Sequence, residues 1–170
     1  MSGATDYKQM ITQAANAQGM PPALLYGLLY HESGLNAKAV NVDSGGSVDR
    51  GIAQINSAAH PNITAAQAYT PSYAIPFAAN YLSSLKQQYG TWNRALQAYN
   101  SGSPTGAPQY AQAVFNASKL YNGSGVTNDA TGGTQSAATG ETTSISNKTM
   151  LTAGVAIFAG ALLLVAFNKM

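Results

Sequence analysis

Residues 149–167, TMLTAGVAIFAGALLLVAF, hold no ionisable side chain. As a helix this run spans ~28 Å, close to the ~30 Å hydrocarbon thickness of a bilayer. It is apolar on every face, whereas a helix closing a globular core keeps a polar side. The run is therefore expected to be a transmembrane helix, making the chain a single-pass membrane protein with a C-terminal anchor. Lys148 and Lys169 place one basic residue on each flank, so charge does not orient it.

Before that run, residues 122–148 are rich in Gly, Ser, Thr and Asn and almost free of large apolar side chains. Such a stretch cannot bury enough surface to offset its ordering entropy, so a flexible linker is expected. Residues 1–121 are left as the folded domain. Charged residues make up only 8% of the chain and the net charge is +2. With only Arg50 and Arg94 as arginines, a nucleic-acid partner is excluded on electrostatic grounds. Cysteine is absent, which removes disulfides, thiol catalysis and Cys-based metal sites. Two histidines, His31 and His60, are too few for a His-rich metal cage, so no metal and no cofactor are expected.

Within 1–121 the pattern is mainly helical. A first helix is expected with Thr5 as cap, Tyr7, Ile11, Ala14 and Ala15 inward and Gly19 as stop. The first twenty residues lack a basic segment followed by an apolar one, and so do not read as a secretory signal. A second helix starts at Pro21-Pro22 and stops at Gly34. Residues 40–52 read as a small β-hairpin around Ser44-Gly45-Gly46. Further helices are expected over 74–89, with Ile75, Ala78, Ala79, Leu82 and Tyr89 inward, then over 92–100 and about 107–121.

The domain has four carboxylates: Asp6, Glu32, Asp43 and Asp49. Asp6 suits the first turn of a helix, where its charge meets the dipole. Glu32 lies four residues after Leu28 and seven after Leu25, on the apolar face of its own helix. A carboxyl pressed against leucines resists ionisation, and one still protonated near neutral pH can protonate a leaving oxygen. The alternative is a structural carboxylate reaching into water at the helix end. His31 points about 100° away around the helix, toward the rim. No G-x-S-x-G elbow is present, and neither histidine has an evident orienting partner, which argues against a Ser-His-Asp hydrolase.

Three segments, Glu-Ser-Gly-Leu-Asn at 32–36, Gly-Ile-Ala-Gln-Ile-Asn at 51–56 and Ala-Tyr-Asn-Ser-Gly at 98–102, together resemble the motifs of lysozyme-like lytic transglycosylases in order and spacing. The stretch 46–57 is most similar to small secretion- and pilus-associated members, and also to c-type lysozymes. The resemblance implies a lysozyme-like α+β fold, mainly α, and cleavage of peptidoglycan glycan strands without a cofactor. It implies Glu32 as catalytic acid, Ser33 as the hydroxyl beside it, Gln54 and Asn56 along the sugar groove, and Tyr99 and Asn100 beside the acid. Amide side chains suit sugar hydroxyls and N-acetyl groups, and a tyrosine offers a ring face and a hydroxyl. Ala53 departs from the Met or Phe usual in the family, implying a wider or softer groove.

Asp49 leaves two reactions open. It follows Glu32 by seventeen residues, the separation of the two carboxylates in c-type lysozymes, which the resemblance makes a candidate retaining pair for hydrolysis. If Asp49 instead faces outward, paired with nothing more than Arg50, Glu32 works alone and the sugar's own 6-hydroxyl closes a 1,6-anhydro ring. The transglycosylase outcome is favoured. A rival of another class is a non-catalytic glycan-binding scaffold. The expected partners are peptidoglycan strands, a lipid bilayer through 149–167, and other proteins of a virion or a secretion machinery. The expected location is a virion membrane or bacterial inner membrane, with phage entry preferred.

Overall fold

A computed structural model describes residues 3–121. The expected flexible linker at 122–148 and the expected transmembrane helix at 149–167 lie outside the described residues. Among the described residues, no helix is long and apolar enough to cross a membrane.

The chain runs α1 (Gly3–Ala17), α2 (Pro22–Ser33), β1 (Val40–Val42), β2 (Val48–Arg50), β3 (Ile55–Asn56), α3 (Ala65–Tyr69), α4 (Pro71–Tyr89), α5 (Trp92–Ser101) and α6 (Pro108–Ser118). The mainly helical expectation with one small β element holds. α2 is the central helix: Leu24, Leu25, Leu28 and Leu29 are fully buried and leave it little polar surface. Gly27 lets α6 approach closely, since a Cβ there would lie 2.5 Å from the Val114 carbonyl oxygen and 2.7 Å from the Ser118 nitrogen. α2 ends where Gly34 adopts φ 62° and its N–H donates to the Tyr30 carbonyl. Leu35 follows at φ 64°, a region that bulky residues rarely occupy. The chain thus turns off the helix axis straight after Glu32 and Ser33.

The strands form an antiparallel sheet in the order β1-β2-β3. Asn41 pairs with Asp49 and Asp49 with Asn56, which puts these three side chains in one row across the sheet. The β1–β2 turn is tied by Asp43, whose Oδ1 accepts from the backbone N–H of Gly45 and Ser47 and whose Oδ2 accepts from the Ser47 hydroxyl.

Some boundaries differ from the sequence reading, for physical reasons. α1 begins at Gly3, so Thr5 lies inside its first turn and is not the cap. The expected hairpin gains a third strand, β3, whose two residues are too few to display alternation. α3 is a further addition: it is a five-residue helix fixed by a reciprocal capping box between Thr64 and Gln67. α4 starts at Pro71 and contains Pro76, which removes one helical N–H donor but sits on the exposed side. Ile75, Ala78, Ala79 and Leu82 are fully buried as expected, while Tyr89 is only partly so.

Candidate active site

Residues 51–54 bind together segments that are distant in sequence. Gly51 at φ 75° and Gln54 at φ 45° turn the chain tightly between β2 and β3. Ser33, at the end of α2, donates its hydroxyl to the Ile52 carbonyl at 2.9 Å. Tyr99, on α5, donates its hydroxyl to the next carbonyl, that of Ala53, at 3.1 Å. The three motif segments therefore meet on one short loop. Ala53 itself is fully buried.

Glu32 sits at this junction in the last turn of α2. Its Oε1 accepts a hydrogen bond from the hydroxyl of Tyr110, a buried residue of α6. Burial lifts the Glu32 carboxyl from an ordinary 4.5 to about 8; the Tyr110 hydrogen bond opposes the rise and the charge of Asp49 adds to it. Tyr99 and Tyr110 are themselves pushed well above 10 by burial and by the nearby Glu32 charge, so both remain donors. His31 is exposed at the rim, its ring edge-on to Tyr110 at 4.9 Å.

Asp49 is buried, and its Oδ1 accepts from the Asn56 amide at 2.8 Å. It faces the Asn41 and Asn56 side of the sheet rather than forming an ion pair with Arg50, whose Nη1 points to the Val48 carbonyl. The second Asn56 amide bond goes to the Ser47 hydroxyl, and its Oδ1 accepts from the N–H of Ala58 and Ala59. Asn56 thus orients Asp49. Gln54 donates its amide to the Gly51 carbonyl at 2.9 Å, and Asn100 lies partly buried in the last turn of α5.

Residues 9–122 match the family model described as the transglycosylase SLT domain. The chain belongs to that family. The SLT domain is also similar to Protein IpgF of Shigella flexneri and of Shigella sonnei, at 34% identity over 97 residues in each case. That alignment covers 53% of this chain and 63% of each relative, so this chain spans under two thirds of their length. In fold it is similar to a solved inactive mutant of the lytic transglycosylase Slt from Pseudomonas aeruginosa, with a TM-score of 0.56 and 19% identity over 71% of this chain and 24% of that one. The lysozyme-like architecture of the SLT domain follows from these matches.

Tyr110 is the site residue that sequence reading missed. Its hydrogen bond favours the ionised carboxyl, so Tyr110→Phe raises the Glu32 pKa further above its normal range. The expected result on murein is an alkaline limb of kcat/KM moved to higher pH, with a maximal rate lowered by roughly tenfold through lost orientation of the carboxyl. An unshifted pH–rate profile would contradict the pairing of these two residues.

Proposed function

We propose that the SLT domain is a peptidoglycan lytic transglycosylase that cleaves the β-1,4 bond between N-acetylmuramic acid and N-acetylglucosamine. The observation that carries this reading is the Glu32 carboxyl, held protonated up to about pH 8 where the three motif segments meet. With Oε1 occupied by Tyr110, the proton is left on the other oxygen, free to reach a glycosidic oxygen. Glu32 donates that proton as the bond to the leaving sugar breaks. The resulting carboxylate then accepts the proton of the muramic acid 6-hydroxyl as its oxygen bonds to C1, giving a 1,6-anhydro product with no water consumed. No metal or organic cofactor is required for these steps. Gln54 and Asn100 are proposed to contact the sugars, whereas Ser33 and Asn56, with Tyr99 through its hydroxyl, act by holding the loop and Asp49 in place.

A lysozyme-type hydrolase is the second reading, and one observation favours it: Asp49 is buried, and its charge acts on Glu32. Asp49→Asn separates the two. For a transglycosylase the variant keeps activity within about fivefold, whereas loss of a retaining nucleophile costs at least ~10³-fold. A non-catalytic scaffold would instead bind murein and release nothing from it.

The membrane placement rests on the uncharged run at 149–167. A virion membrane or a bacterial inner membrane then supplies the anchor, with the domain reaching the wall. Purified virions that contain the chain are expected to give a clearing band on a murein zymogram, and virions without it would refute the phage placement.

A further inference from the structure

β1 is an end strand of the sheet, so one of its edges faces no other strand. Two hydrogen bonds fix which backbone groups point which way. The Gly51 N–H donates to the Ala39 carbonyl at 2.8 Å, and the Asp43 N–H donates to the Ser47 carbonyl at 3.0 Å. With Asn41 opposite Asp49, residues 39, 41 and 43 therefore turn their backbone groups toward β2. The same alternation directs the N–H and C=O of Val40 and Val42 away from β2, out of the open edge. Their side chains share the face opposite Asn41. At 59% and 64% exposure they are two of the four large apolar residues left in solvent among the described residues.

We propose that β1 is a self-pairing edge, along which two copies of the chain join antiparallel into one six-stranded sheet. This inference goes beyond the peptidoglycan reading and does not depend on it. Val-Asn-Val reads the same from either end, which suits a two-fold axis through Asn41. Only the register that sets Val40 opposite the partner's Val42 uses every outward backbone group of both strands. That register also lays each valine beside a valine of the other copy, covering the exposed apolar surface. The flanks complement one another as well. Lys38 precedes the strand and Asp43 follows it, so antiparallel pairing brings the Lys38 end of one copy to the Asp43 end of the other. An anionic lipid surface finds no such match, because it repels one of the two flanking charges. Three residues make a short join, so the pair is weak and forms with rising concentration.

The test uses the full chain in a neutral detergent and takes advantage of its lack of cysteine. In the proposed register Asn41 meets the partner's Asn41 as a non-hydrogen-bonded pair, with Cα atoms ~4.5 Å apart, within the span of a disulfide. In a glutathione redox buffer, Asn41→Cys is expected to form a disulfide-linked dimer at least ~10-fold faster than Gln88→Cys, placed at an exposed position of α4. Adding Val42→Lys, which sets a cation against the partner's valine, is expected to return the rate to that of Gln88→Cys. A thermal melt close to the parent's shows that the variants are folded. Hydrogen exchange on the unmodified chain reads the same edge without any substitution. The Val40 and Val42 amides are expected to exchange more slowly as concentration rises, while the Asn41 and Asp43 amides are protected throughout. Cross-linking of Asn41→Cys no faster than the control, or undiminished by Val42→Lys, would overturn the pairing. So would protection of Val40 and Val42 that ignores concentration and appears only on adding anionic vesicles or murein strands, since that gives the edge to another partner.

Discussion

Replacing Glu32 by glutamine is expected to lower turnover on isolated murein by at least ~10²-fold while leaving the domain folded. Glutamine keeps the shape and can still accept the Tyr110 hydroxyl, but it cannot give a proton to a leaving oxygen. The same substitution has a signed effect on stability. The native carboxyl titrates at about 8 and the unfolded one near 4.5, so the folded state holds the proton more tightly. The stability that this proton provides is complete below about pH 4.5 and is lost as pH rises toward 8. Glu32→Gln lacks that loss, so its melting temperature should exceed the parent's by a margin that grows between those limits. At pH 8 the corresponding difference in folding free energy is on the order of a few kcal/mol. A margin that is flat with pH would show that Glu32 is not desolvated, and full activity would remove the enzymatic reading.

The largest effect on folding is expected from Gly51→Ala. Gly51 adopts φ 75°, and a Cβ there would lie 1.9 Å from the Ala68 carbonyl oxygen and 2.9 Å from its carbon. Neither partner is a flexible side-chain tip; both are backbone of α3. The added methyl must displace α3 or unwind the turn, and left-handed strain adds to the clash. A loss of ~3 kcal/mol or more is expected, with a fall in melting temperature of about 10 °C or more. Activity should fall with it, because Ile52 and Ala53, which follow directly, hold Ser33 and Tyr99. A variant melting within about 2 °C of the parent would contradict the close approach of α3 to this loop.

Legibility in the sequence followed the range of the interactions. The helices read over 74–89 and 92–100 show in the spacing of their apolar residues, because burial on one face imposes that spacing directly, whereas α2, apolar nearly all round, shows through its Pro start and Gly stop. Glu32 stands out for the same reason: a carboxylate in register with Leu25 and Leu28 breaks an otherwise apolar stripe. Tyr110 could not be found in this way. It is separated from Glu32 by 78 positions and sits in register with buried Val114, where it reads as an ordinary core aromatic. The one signal pointing to it was Gly27, a glycine inside a helix, which marks a close helix approach without naming the partner. Ser33 and Asn56 illustrate a different limit. Their residue types suit sugar binding, yet their hydrogen bonds go to Ile52 and to Asp49 and Ser47. A polar side chain declares what it can bond, and only the fold decides to what.

The most direct measurement is the mass of the muropeptides that the unmodified chain releases from purified murein. A carboxyl that acts first as acid and then as base toward the sugar's own 6-hydroxyl leaves 1,6-anhydro ends, each lighter by one water than a reducing end. Anhydro ends throughout are the result predicted here, and reducing ends throughout would contradict the transglycosylase account and assign the Glu32–Asp49 pair to hydrolysis.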